Sequence, residues 1–334
     1  MAETLVRTGK LVTVFGGSGF VGRYVSKALA QHGWRVRVAS RRPGNAFVQQ
    51  PSGVVGQITA VQANLRYPDS VARAVRDADA VINLVGLLSK AGPQTFAAIH
   101  VGGTRAIVDA TKAAGITRFV QMSAIGADPS SPAEYGRTKA EAEAIVLAAL
   151  PEAVIVRPSI IFGPEDKFFN RFAAMARLMP ALPLIGGGTS LLQPVFVGDV
   201  AEAIALAVDG KAKPGTIYEL GGPEARSFKQ IMTFILQTTG RRRPLVTVPM
   251  PAALLMGRGT ETVKKLAFGL FPEMLDMTED QVKLLQIDNV VSPQADAEGR
   301  TLKGLGIRPE SFEAYVPGYL SRFRKTGQFA EYSS

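Results

Sequence analysis

Nine residues near the start, Val14-Phe15-Gly16-Gly17-Ser18-Gly19-Phe20-Val21-Gly22, constrain this chain more than any other feature. An apolar β-branched run at 11–15 precedes them and a helical pattern at 21–32 follows. Glycines so placed permit a tight turn and a close backbone approach to a pyrophosphate. Gly16 and Gly19 serve the turn and the approach, and Gly22 lets the helix pack closely on the strand. The N–H groups that open the helix attract phosphate oxygens. A bare structural turn is the competing reading.

The rest of the first half repeats the rhythm. Strands are expected at 35–39, 58–62, 80–85, 119–122 and 154–157, and helices at 70–76, 95–114 and 132–149. Apolar strands alternating with helices predict an α/β fold with a doubly wound parallel sheet covered on both faces. After Pro158, Pro and Gly become frequent, and only 195–208 and 216–220 continue the pattern. The expected organisation is a Rossmann-type nucleotide domain over 1–161 with return elements 193–222. A smaller, mostly helical substrate-type or docking domain takes 162–192 and 223–334.

Of the 334 residues none is Cys, which excludes thiolate catalysis and thiolate-held iron–sulfur clusters, and no metal site is expected. The net charge of +10 points to an acidic partner. Nucleic acid is not expected, because no binding motif and no aromatic interleaving accompany the basic residues. Arg241-Arg242-Arg243 reads as a solvated turn. The longest apolar stretches, such as 81–88, are too short to span a bilayer, and no secretory signal is visible.

Cofactor choice is read at the end of the second strand, where NAD sites carry Asp or Glu for the ribose 2′-hydroxyl. Here the strand ends Ser40-Arg41-Arg42, which suits a 2′-phosphate and predicts NADP(H) over NAD. The bland reading is a solvated basic loop. Further along, Ser123 ends the fifth strand, and Tyr135 and Lys139 lie four apart at the start of the next helix. Residues four apart share a helix face, so the ammonium can act on the phenol, making Tyr135 a general acid or base. Ser123 would hold the substrate oxygen.

The glycine pattern, Asn83-Leu84-Val85-Gly86, Ser123 and the Tyr135/Lys139 pair resemble the short-chain dehydrogenase/reductase superfamily, in its extended and atypical branches. Longer strings narrow this, among them Val81-Ile82-Asn83-Leu84-Val85-Gly86-Leu87-Leu88, Met122-Ser123-Ala124-Ile125-Gly126-Ala127-Asp128 and Gln193-Pro194-Val195-Phe196-Val197-Gly198-Asp199-Val200-Ala201. Over about residues 10 to 240 they are similar to the dehydrogenase-like accessory subunits of respiratory complex I, bacterial type.

That resemblance implies a tightly held NADPH without turnover. It also implies docking with other subunits on the peripheral arm of complex I, near the membrane and the quinone site. The place would be the cytoplasmic face of the bacterial inner membrane. By the same resemblance, Gly16, Ser18, Gly19, Phe20 and Val21 face the pyrophosphate, and Arg41 and Arg42 hold the 2′-phosphate. Asn64 and Leu65 lie by the adenine, although many relatives carry Asp at Asn64. Val85 and Gly86 line the ribose, and Pro158, Ile160 and Ile161 approach the nicotinamide. One departure concerns His100, where active extended reductases carry Asn in an Asn-Val-x-Gly-Thr string. Histidine can serve a proton relay because it titrates near neutrality. Simple packing in the helix is the other reading.

Residues 254–277 combine large apolar side chains with Lys264 and Lys265, a pattern suited to the membrane interface or to a helix of the smaller domain. The alternative to a non-catalytic subunit is an active NADP-dependent reductase or epimerase acting on a small carbonyl or sugar-like substrate. An NADPH-sensing regulator is a third reading.

Overall fold

Short apolar runs become strands wherever a helix separates them. The computed structural model describes residues 9–90, 92–266 and 278–325, with only the backbone of 260–266. It forms β1 (Leu11–Phe15), β2 (Arg35–Ser40), β3 (Ile58–Gln62), β4 (Ala80–Asn83), β5 (Phe119–Met122) and β6 (Val154–Pro158). Every end lies within two residues of the sequence expectation. Later strands are β7 (Ile161–Phe162), β8 (Leu182–Ile185), β9 (Leu191–Leu192), β10 (Val195–Phe196) and β11 (Ile217–Leu220), then β12 (Arg226–Ser227) and β13 (Leu245–Val248).

One parallel seven-stranded sheet runs in the order β11-β6-β5-β4-β1-β2-β3. This is the doubly wound α/β architecture the sequence predicts. Chain order reverses beside β1, which pairs with both β2 and β4. In open α/β sheets such a reversal is where ligands bind, beyond the carboxyl ends of the strands. The helices α1 (Phe20–Gln31), α2 (Pro68–Val75), α3 (Gly103–Ala113) and α4 (Glu134–Ala149) connect the strands. The expected helix over 95–114 is not uniform: a π-helical turn, Ala97–Gly102, leads into α3. Such turns absorb an extra residue and occur often at functional sites.

Two compact units divide the chain. The first comprises Met1–Pro158, Val197–Leu220 and Val291–Arg308. It therefore includes 291–308, which the sequence reading assigns to the smaller domain. That segment is tied in by the Ser292 N–H donating to Glu219 (2.7 Å) and by the Arg300 guanidinium donating to the Ile217 carbonyl (2.7 Å). Helix α6 (Val197–Val208) belongs here, and a cluster of Phe15, Val71, Val81, Ile107, Phe119 and Val146 fills one core of the unit.

The second unit comprises Ser159–Phe196, Gly221–Val290 and Pro309–Ser334. It contains α5 (Phe169–Leu178), α7 (Phe228–Thr238), α8 (Met250–Leu266), α9 (Glu279–Leu284) and α11 (Phe312–Leu320). Helix α10 (Pro293–Ala297) lies in the first unit. Small sheets accompany the helices, including a parallel pair, β13 with β8, that the sequence reading omits. Aromatic rings dominate this core: Phe169 lies 5.5 Å from Phe312 and Phe172 lies 5.4 Å from Phe228.

The triple arginine is no solvated turn. The Arg241 guanidinium donates twice to the Phe323 carbonyl (3.1 and 3.0 Å), and Arg243 donates to the Ala176 carbonyl in the last turn of α5 (3.1 Å). Cations suit the orphan carbonyls there. Among residues 254–277, Leu254 packs beside Ile185, Ala253 and Val282, whereas Leu255 and Met256 are exposed. Residues 267–277 lie outside the described residues. Among those described, no helix is long and apolar enough to cross a membrane.

Candidate functional site

The loop from β1 to α1 is shaped by its own backbone. The Gly19 N–H donates to the Gly16 carbonyl (3.0 Å), folding the chain tightly before the helix. Gly16 has φ +78°, a left-handed conformation that side chains resist. At Gly22 a Cβ would stand 2.5 Å from the Gly16 carbonyl oxygen and from two backbone carbons of Gly17. The helix therefore starts directly under the turn. Its N-cap, Gly19, supplies no side-chain acceptor, so the first N–H groups of α1 are left for another partner.

Beside this turn the end of β2 supplies polar groups. Ser18 Oγ and Ser40 Oγ lie 3.0 Å apart, joining the glycine loop to the second strand. Ser40 Oγ also accepts from the Arg42 N–H (3.3 Å). The Arg41 and Arg42 side chains are exposed, and no carboxylate pairs with either among the described residues. After β3, Asn64 accepts from the Arg66 N–H through its side chain (3.2 Å), making a local turn. Leu65 packs on Gly103, where a Cβ would stand 2.7 Å from its Cδ1.

A second cluster forms where β4, β5 and α4 meet. The buried Asn83 amide donates to Thr104 Oγ1 (3.2 Å) and Gln121 Oε1 (3.0 Å) and accepts from the Val85 N–H (3.0 Å). Gly86 follows, exposed, with Lys139 Nζ 3.4 Å from where its Cβ would be. Lys139 is 2% exposed and donates to the Met122 carbonyl (3.1 Å). Its ammonium lies 5.9 Å from the centre of the Tyr135 ring. Burial pulls the Lys139 pKa down to about 8, with the Glu143 carboxylate one turn later opposing the shift. Ser123 is buried, and its Oγ has no hydrogen-bond partner among the described residues.

The structure thus gathers Ser123, Tyr135, Lys139, Val85 and Gly86 at one place, and Gly16, Ser18, Gly19, Ser40, Arg41 and Arg42 around the turn. Phe20, Val21 and Gly22 form the first turn of α1. Pro158 ends the first unit, its carbonyl accepting from the Ile125 N–H (3.1 Å), while Ile160 and Ile161 belong to the second unit.

Two further residues escape motif reading. Glu143 takes a paired contact from the Arg157 guanidinium (2.8 and 2.6 Å), and Glu219 stands 3.8 Å from the same group. Its spacing, four residues after Lys139 on the same helix face, was the available signal. Arg157 carries no such signal, because its partners come from other elements.

Residues 12–221 match the model of the NAD dependent epimerase/dehydratase family. The chain belongs to this family. Among curated relatives, the mitochondrial NADH dehydrogenase [ubiquinone] 1 alpha subcomplex subunit 9 of Arabidopsis thaliana is 35% identical over 326 residues, covering 96% of this chain and 79% of the relative. A ceramide reductase of Caulobacter vibrioides is 30% identical over 252 residues, covering 74% and 76%. An NADPH-dependent quinone oxidoreductase of Escherichia coli, solved with NADPH, shares the fold at TM-score 0.70 and 18% identity, covering 91% of this chain and 97% of that one. The resemblance read from the sequence is borne out at the level of the family and its complex I relatives.

The first unit has the fold of NAD(P)-binding members of this family, and its features fit a dinucleotide. The close glycine turn, the uncapped helix start and the orphaned Ser123 hydroxyl each lack something a nucleotide or its substrate supplies. A nicotinamide dinucleotide held there would supply hydride-transfer chemistry. The chain itself sets a buried cation, Lys139, against the Tyr135 ring and ties it to the carbonyl of Met122, the residue before Ser123.

Proposed function

We propose that this chain is a non-catalytic accessory subunit of respiratory complex I. In this reading it carries a tightly bound structural NADPH and supports assembly and stability of the peripheral arm near the membrane and the quinone site. The carrying observation is the 35% identity to the plant subunit across 96% of the chain. Gly16, Ser18, Gly19, Phe20, Val21 and Gly22 hold the pyrophosphate in this reading, Asn64 and Leu65 the adenine, and Val85 and Gly86 the ribose. Pro158, Ile160 and Ile161 approach the nicotinamide. The choice of NADPH rests on Ser40, Arg41 and Arg42, two guanidiniums without a carboxylate partner among the described residues. A ligand that binds only the folded state stabilises it by mass action, without turnover.

The proposed partners are other peripheral-arm subunits, with residues 254–277 touching the membrane surface on the cytoplasmic face of a bacterial inner membrane. The exposed Leu255 and Met256 support that contact. The proposed domains are 1–161 with 193–222, and 162–192 with 223–334; the compact units differ from them at 159–161, 193–196, 221–222 and 291–308.

An active NADP-dependent reductase is the second reading. The orphaned Ser123 hydroxyl and the Tyr135–Lys139 pair favour it, as does the similarity to a bacterial reductase. One preparation separates the two. Native purification is expected to yield the chain in membranes, together with NADH:quinone reductase activity and a stoichiometric NADPH that stays reduced across a carbonyl panel. A free soluble protein, or oxidation of its NADPH by a carbonyl, overturns the subunit reading.

A further inference from the structure

The π-helical turn places His100 in a hydrogen-bond setting that fixes every proton. The side chain is 1% exposed. Its Nε2 lies 3.0 Å from the Leu87 N–H, which can only donate, so Nε2 is the bare acceptor nitrogen. In a neutral ring Nδ1 then carries the hydrogen, and it faces Thr138 Oγ1 at 3.0 Å. The Thr138 hydroxyl directs its own hydrogen back to the carbonyls of Glu134 (2.9 Å) and Tyr135 (3.1 Å), leaving its oxygen to accept. Two rings hold the imidazole plane: Phe96 stacks on it and Tyr135 meets it edge-on, each with centres 5.4 Å away.

The surroundings oppose a second proton on this ring. Burial and the neighbouring Lys139 ammonium push its pKa down to about 3. The Leu87 N–H is the only hydrogen in the set that belongs to the strand end carrying Gly86. That glycine sits with Lys139 Nζ 3.4 Å and His100 Nε2 3.8 Å from where its Cβ would be. The ring therefore couples the backbone just beyond β4 to α4.

We infer that His100 is a positioning residue for the dinucleotide, a neutral Nδ1–H imidazole that holds the Gly86–Leu87 backbone in its ligand-facing place and relays no proton. The inference rests on the reading that the first unit carries a dinucleotide. It also separates the two bonds of the ring. The contact with Leu87 serves the ligand, and the contact with Thr138 serves the fold.

Substitutions can cut the bonds one at a time. In H100Q the amide oxygen reaches the place of Nε2 and keeps the Leu87 bond. In H100N the shorter side chain reaches only toward Thr138. T138V removes the Thr138 bond and leaves the Leu87 bond. Dinucleotide retention after desalting is expected to match wild type in H100Q and T138V. In H100N release is expected to be about tenfold faster, the change one ordinary hydrogen bond gives. T138V is expected to lower Tm without changing retention. In 15N NMR of wild type, the resonance missing from H100Q is expected to show Nδ1–H and no titration between pH 5 and 8. A ring that titrates in that window, protonation on Nε2, or equal retention in H100N and H100Q overturns the inference. A wild-type chain that binds no dinucleotide removes the earlier reading and this one together, whereas a wild-type chain that binds it with unaltered retention in H100N removes only this one.

Discussion

Beside the glycine turn the start of α1 and the basic pair Arg41–Arg42 stand open, whereas around α4 almost every donor is committed. The glycine turn leaves the first N–H groups of α1 without a side-chain cap, and Arg41 and Arg42 have no carboxylate among the described residues. In the α4 corner His100 uses both ring nitrogens, Lys139 is tied to a carbonyl and Glu143 is clamped by Arg157. Ser123 Oγ is the exception there. The contrast separates an open cradle from a rigid frame. Buried ionisable groups in the frame make it answer to pH, while exposed guanidiniums make the cradle answer to charge and salt.

The largest effect should come from protonating the frame. The His100 pKa falls from 6.5 to about 3, so below pH 6.5 the unfolded chain binds a proton that the folded chain refuses. The stability His100 contributes is complete above pH 6.5 and is lost as pH falls toward 3, by on the order of 5 kcal/mol. Lys139 acts on the other flank. Its pKa falls from 10.5 to about 8, so stability rises between those values, by about 3 kcal/mol, as the folded chain sheds the buried charge first. Denaturant titrations at a series of pH values should show both slopes in wild type. H100Q should lose the acid slope and K139M the alkaline one. Slopes unchanged in both variants would mean the frame is wetter than its geometry indicates.

A smaller effect tests the cradle as architecture. In G22A the new methyl group meets backbone atoms of Gly16 and Gly17 at 2.5 Å, and backbone has little room to yield. A loss of about 2–3 kcal/mol is expected, the scale of overpacking. Gly44 is the control: nothing lies within 4 Å of its Cβ position, so G44A should leave stability unchanged or raise it slightly. Equal destabilisation in both would remove the claim that helix and turn interlock at Gly22.

What was legible in the sequence follows the same division. The cradle is local: β1, the glycines and α1 are consecutive, so spacing alone places them. The strands around it are apolar runs bounded by helices, and period and composition suffice. The frame depends on partners that are distant in sequence. Residues 95–114 carry one helical pattern, and the π-turn within them accompanies a ring that bonds to Leu87 and Thr138 from other elements. Arg157 in β6 is unreadable for the same reason, since its carboxylates lie on α4 and β11. In the second unit, Phe162, Phe172, Phe228 and Phe312 form one core from segments with no shared period. Strand β8 contains Pro183, which reads locally as a loop, yet it pairs in parallel with β13.

The smallest expected effect decides what the cradle selects. Arg41 and Arg42 are exposed, so their attraction for a phosphate is screened by water and salt, which keeps their contribution modest. Ser40 sits between them and the glycine turn, 3.0 Å from Ser18, and fixes where β2 delivers the basic pair. Neither guanidinium would meet any extra charge on NADH, whereas the 2′-phosphate of NADPH presents nearly two. Replacing both with Ala should therefore lower NADPH affinity by about 10- to 100-fold, roughly 1.4–2.8 kcal/mol, and leave NADH affinity nearly unchanged. Salt should mimic the substitution in wild type, weakening NADPH more than NADH, and should do so far less in the double variant. Calorimetry with both nucleotides at two salt concentrations measures all of these. An unchanged NADPH/NADH ratio would show that the charge of Arg41 and Arg42 serves something other than the dinucleotide, and the contrast between open cradle and closed frame would then rest on the α1 N-terminus alone.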